Sequence, residues 1–181
     1  MLLYPIALFV HIIATMTMFA VIGIVIASVV LMRRTETVEQ LRVKVMLAYS
    51  ADKLMPGIML FVLVPAIYMV FASWGWTTAW INTALIALVL ASPLGPIVNT
   101  RRLEAIHKAA EAAPVGPLSA VLLKQLDDRV LWASVCTFTG VLIGIVFLMT
   151  VKPGLLGSLA TIIVALVLGF SYSMVSSRVR S

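Results

Sequence analysis

Residues 4–32 read YPIALFVHIIATMTMFAVIGIVIASVVLM and contain no Asp, Glu, Lys or Arg. A helix needs about 20 apolar residues to cross the roughly 30 Å hydrocarbon core of a bilayer. This stretch exceeds that length. Lipid offers no partner to backbone N–H and C=O groups, so a span must pair them within itself, as a helix does. The alternation and frequent turns of a membrane barrel are missing. Nor does the stretch read as a cleaved leader. No basic residue precedes it, it outruns a leader's apolar region of about 7–15 residues, and no A-x-A site follows. It is expected to be a first membrane span.

Four further stretches have the same character: residues 54–73, 78–98, 130–151 and 155–175. Hydrophobic residues make up 62% of the 181, and charged residues 11%, against about 25% in soluble domains. A soluble fold of this size has too much surface for its volume to hide that content. Disordered tails and nucleic-acid domains are excluded as the main content, and no nucleic-acid partner is expected. The expected architecture is an all-α polytopic bundle of five transmembrane helices, forming a single transmembrane domain over residues 1–181.

The connections alternate. Arg33, Arg34, Arg42, Lys44 and Lys53 lie between the first and second spans. Arg101, Arg102, Lys108, Lys124 and Arg129 lie between the third and fourth, and Arg178 and Arg180 follow the fifth. Lys152 is the only Lys or Arg in the opposite connections. Basic loops stay on the cytoplasmic side, so the N-terminus is expected outside and the C-terminus in the cytoplasm. The +6 net charge needs no polyanionic partner once the asymmetry is seen. The expected location is a bacterial cytoplasmic (inner) membrane, with the lipid bilayer as the first partner.

The cytoplasmic connections, 33–53 and 99–129, both read as helical. Val38, Leu41, Val45 and Ala48 form one apolar stripe. Arg101–Ala113 continues the third span, Pro114-Val115-Gly116-Pro117 turns the chain, and Leu118–Arg129 resumes helix toward the fourth. On the other side Trp74, Trp76 and Trp80, with Tyr4 and Tyr68, form an aromatic belt at headgroup level. No internal repeat is present, and five spans do not halve, which disfavours a single-chain inverted-repeat transporter. A homo-oligomer, or a complex with other membrane subunits, would restore symmetry or partners.

His11 is the one imidazole inside the spans, and an ionisable group there is a functional hypothesis by default. Neutral imidazole can ligate haem iron or another metal, or relay a proton. A purely structural role needs a hydrogen-bond partner, with Thr15 one turn on and Asn82 on the third span as candidates. Met16 and Met18 follow, and Met18 shares a face with His11 at i, i+7. Thioether with imidazole suits Cu(I), although methionine also fills apolar gaps. Pro93 and Pro96 break the third span, and Pro56 and Pro65 lie in the second. Gly140 and Gly144 form a G-x-x-x-G, which permits close helix approach. All seven acidic residues are expected outside the hydrocarbon. No HExxH, phosphate loop or serine triad is present, so no catalytic residue is assigned.

Phe147-Leu148-Met149-Thr150-Val151-Lys152-Pro153-Gly154, before a last short span, resembles a family of small bacterial predicted integral membrane proteins of unknown function. Three further motifs, all in the first 100 residues, are His11-Ile12-Ile13-Ala14, Lys53-Leu54-Met55-Pro56 and Trp80-Ile81-Asn82. They are distantly similar to the membrane-embedded haem-b protoporphyrinogen oxidases and to copper-resistance-D-like proteins. That resemblance implies a haem b cofactor with His11 as ligand. The oxidases pair this histidine with a lysine on the third span, where this chain has Ala84. Asn82 stands where they carry a further histidine. The oxidase activity is therefore not carried over, and Met149 or Met69 is the candidate replacement ligand.

Two classes of role follow. One is non-catalytic: an accessory or structural membrane subunit, or a small ligand-binding membrane protein. The other is a haem-b oxidoreductase built on His11. Metal or ion transport is a third alternative.

Overall fold

The computed structural model describes residues 3–178. They form seven α-helices: α1 (Leu3–Met32), α2 (Val38–Met69), α3 (Ala79–Ala91), α4 (Arg101–Ala112), α5 (Ala120–Leu126), α6 (Arg129–Val151) and α7 (Leu155–Arg178). A π-helical turn at Val70–Trp74 extends α2, and another at Leu94–Thr100 joins α3 to α4. Five helical stretches are long and apolar enough to cross a membrane: Leu3–Met32, Val38–Trp74, Ala79–Ala112, Ala120–Val151 and Leu155–Ser176. No strand occurs among the described residues.

The α1–α2 pair is the spine. Along α1 the buried positions include His11, Ala14, Met18, Val21, Val25, Ser28 and Met32. They alternate three and four residues apart, which is the heptad seam of packed helices. Along α2 the stripe Val38, Leu41, Val45 and Ala48 is 0–1% exposed, and the same spacing carries on to Asp52 and Met55. The short link between the helices makes them antiparallel, so His11 lies opposite Val62. Phe9, Ile13, Met16, Phe61 and Val64 stand on the outer faces. Both faces are apolar, as expected of helices whose outer side meets lipid.

α6 and α7 approach through small residues. A Cβ at Gly140 would lie 2.6 Å from the Ala165 carbonyl oxygen, and one at Gly169 would lie 2.8 Å from the Cys136 carbonyl oxygen. The G-x-x-x-G of α6 is thus spent within the chain, against α7.

The two basic connections interlock at one end of the bundle. Val38 N–H donates to the Gly116 carbonyl at 2.9 Å and Leu118 N–H to the Glu36 carbonyl at 3.3 Å. Gly116 has φ +122°, a conformation L side chains rarely adopt. Helix does not run unbroken from Leu118 into the fourth span. It stops at Leu126, and Asp128 starts α6 afresh by accepting the Val130 and Leu131 N–H groups at 2.9 and 3.1 Å. Its other carboxylate oxygen pairs with Arg102. Asp128→Ala is expected to destabilise the fold by about 1–2 kcal/mol through the lost cap. Asp128→Asn should recover most of that, which a thermal unfolding series in detergent would measure.

Candidate functional site: a cavity lined by His11

His11 is 6% exposed. Its Nδ1 lies 2.8 Å from the Val62 carbonyl oxygen across the α1–α2 seam. A carbonyl only accepts, so Nδ1 carries the proton and donates it. Val62 sits on the turn before Pro65, whose missing N–H interrupts the helical ladder at Phe61. With Nδ1–H committed, the neutral ring leaves a lone pair on Nε2, which has no hydrogen-bond partner among the described residues. A metal-binding or ligand-binding histidine has this arrangement, in which one nitrogen is anchored to a carbonyl and the other is free to accept.

Neither side chain expected to partner the ring does so. Thr15 Oγ1 donates to the His11 backbone carbonyl at 2.8 Å. A threonine one turn on reaches that oxygen more easily than a ring pointing outward from the helix. Asn82 Nδ2 donates to the Trp76 carbonyl at 2.7 Å, bracing the turn before α3. The anchor of His11 is a backbone carbonyl on α2.

The ring lines a cavity of about 310 Å³ between α1, α2, α3 and α6. Thr15, Met18, Met69 and Met149 line it too, as does Ala84. The candidate thioethers and the imidazole are therefore brought together, and Asn82 is not among the lining residues. Met16 is exposed on the outer face of α1, so Met16 and Met18 do not form one site. Tyr4, Trp74, Trp80 and Lys152 line the cavity at the aromatic end. Trp74 Nε1–H donates to the Tyr4 hydroxyl at 3.1 Å, its ring meets Trp80 edge-on at 5.4 Å, and Lys152 Nζ sits 4.5 Å over it. The aromatic cluster is thus partly a cavity mouth. Lys152 has φ +53° at the C-cap of α6.

Asp52 escaped the sequence reading. Adjacent to Lys53, it reads as part of a charged connection, yet it is 4% exposed and accepts a hydrogen bond from the Thr100 hydroxyl. The signal that finds it is the stripe Val38, Leu41, Val45, Ala48 carried one turn further.

No protein-family model, curated protein or solved structure matches this chain. Fold and composition define it as a multi-pass, all-α membrane protein.

Proposed function

We propose that this chain binds a small apolar molecule in the membrane, with His11 Nε2 accepting a hydrogen bond from it. The observation that carries this is the Nδ1–H bond to the Val62 carbonyl, which orients the free nitrogen's ring within the cavity. The volume is near the lower end for small-molecule sites, and the walls are apolar with few polar groups, as such sites are. A lipid-soluble phenol or hydroquinone has the matching chemistry: a flat apolar body and one hydroxyl donor. Trp74 and Trp80 at the mouth serve as reporters. Titration of the detergent-solubilised protein with a short-chain ubiquinol analogue is expected to quench tryptophan fluorescence saturably. His11→Leu should weaken binding at least tenfold, or about 1.4 kcal/mol. Non-saturable quenching, equal in both proteins, rejects the proposal.

A second reading is haem b, favoured by the imidazole and the Met18 and Met149 thioethers lining one cavity. Imidazole and thioether both ligate haem iron, and a bound haem would supply one-electron chemistry. His11 would hold it, with Val62 fixing the ring. A Soret band on adding haem to the wild type, lost in His11→Ala, supports this; a colourless protein after haem is supplied rejects it.

The location we propose is a bacterial inner membrane, N-terminus outside and C-terminus in the cytoplasm. Support comes from charge: both connections rich in Lys and Arg meet at one end of the bundle, and basic segments remain cytoplasmic. A green fluorescent protein fused to the C-terminus should fluoresce, and alkaline phosphatase fused there should be inactive. The reverse pair of results overturns the orientation.

A further inference from the structure

A second cavity, about 250 Å³, lies beneath the π-helical turn Leu94–Thr100 and shares no lining residue with the His11 cavity. Asp52 is the only titratable side chain among the residues lining it from α1, α2, α6 and the turn. Among the described residues Asp52 has no ion-pair partner. An isolated carboxylate out of water is very costly unless its charge is balanced. The balance comes from a proton or from a bound cation of charge +1, because a dication would leave an unbalanced positive charge in the same apolar wall.

The neighbouring groups say which species. Asn99 is 4% exposed, and its side-chain oxygen is buried with no donor facing it. Thr100 Oγ1 bonds Asp52 and lies 3.3 Å from the Gly95 carbonyl. Pro56 deletes the N–H that an unbroken helix would place against the Asp52 carbonyl, and Pro96 does the same for Ser92. All these residues line the cavity. The set is one carboxylate and several neutral oxygens, which suits a hard cation rather than a soft metal. A proton on Asp52 would reach one acceptor, Asn99 Oδ1 included, whereas a cation engages the Asp52, Asn99 and Thr100 oxygens together. Broken helices of membrane proteins present ions with such carbonyls.

We propose that this cavity is a monovalent-cation site, in which Asp52, Asn99 and Thr100 hold a sodium-class ion by their side-chain oxygens. The test is binding of ²²Na⁺ to the detergent-solubilised full chain, with choline chloride holding ionic strength constant. Saturable binding of one ion per chain is expected, together with a higher thermal midpoint in sodium than in choline. Asp52→Asn keeps the side-chain shape and should abolish both effects. Asn99→Leu leaves the carboxylate in place and should weaken binding at least tenfold, which decides the matter if Asp52→Asn fails to fold. Absence of saturable ²²Na⁺ binding in the wild type, with equal midpoints in the two salts, overturns the proposal. So does a midpoint that responds to pH through Asp52 but not to sodium, which marks a carboxyl that carries only a proton.

Discussion

Replacing Gly169 by leucine is expected to lower the thermal midpoint of the purified protein by about 10 °C, corresponding to about 3 kcal/mol. The atoms nearest to a Cβ at Gly169 are backbone: the Cys136 carbonyl oxygen at 2.8 Å and the Thr137 Cα at 3.0 Å. Backbone inside a helix cannot rotate aside as a side chain can, so α7 must move away from α6. In lipid that separation is not resisted by a hydrophobic force between helices, because the tails solvate apolar side chains equally well. Close packing is what holds the pair, and it is lost in proportion to the gap. Gly169→Ala should act in the same direction by a smaller amount. Gly23→Ala is the control, since nothing lies within 4 Å of a Cβ there. It should be neutral or slightly stabilising, given the helix propensity gained. A Gly169→Leu protein that melts with the wild type would show that α7 does not depend on this contact.

Arg42→Met should cost about 3 kcal/mol, measured by the same unfolding series. The guanidinium caps the end of α4. Its Nε donates to the Ala110 carbonyl at 2.9 Å, and a terminal nitrogen donates to the Glu111 and Ala113 carbonyls at 3.2 and 2.6 Å. These are final carbonyls of a helix, without intrahelical donors, where positive charge is also favoured. Methionine keeps much of the apolar stem but none of the donors. Lysine keeps the charge but not the planar fork that reaches several carbonyls at once, so Arg42→Lys should fall between the two. An Arg42→Lys protein as stable as the wild type would assign the effect to charge alone.

The His11 site was half legible. A lone imidazole in an uncharged run is conspicuous because residue type alone marks it. Its anchor was not, because a backbone carbonyl has no signature in residue type. Met18 could be placed on the His11 face from helical period, whereas Met149 reaches the cavity from α6, far along the chain. Asn82 looked like a partner through being the one amide side chain on the third span. Its position near the start of α3 directs its amide to the local turn instead.

Asp52 shows the limit differently. Its neighbour Lys53 marked a charged connection, and the expectation that every carboxylate lies outside the hydrocarbon says nothing of burial within the bundle, where Asp52 is 4% exposed. Burial followed because α2 runs unbroken from Val38, and because Asn99 and Thr100, after the proline break, line the same cavity as Asp52.

Five apolar lengths and the partition of charge between their connections were determined by the sequence alone. Both are local properties: a helix in lipid needs only its own length and its own backbone bonds. Tertiary structure decided which carbonyl His11 would meet, which glycines would touch, and on which side of the wall Asp52 would stand. Those outcomes depend on how the faces of separate helices come together. Helices that are apolar all round carry too little contrast between their faces to specify that in advance.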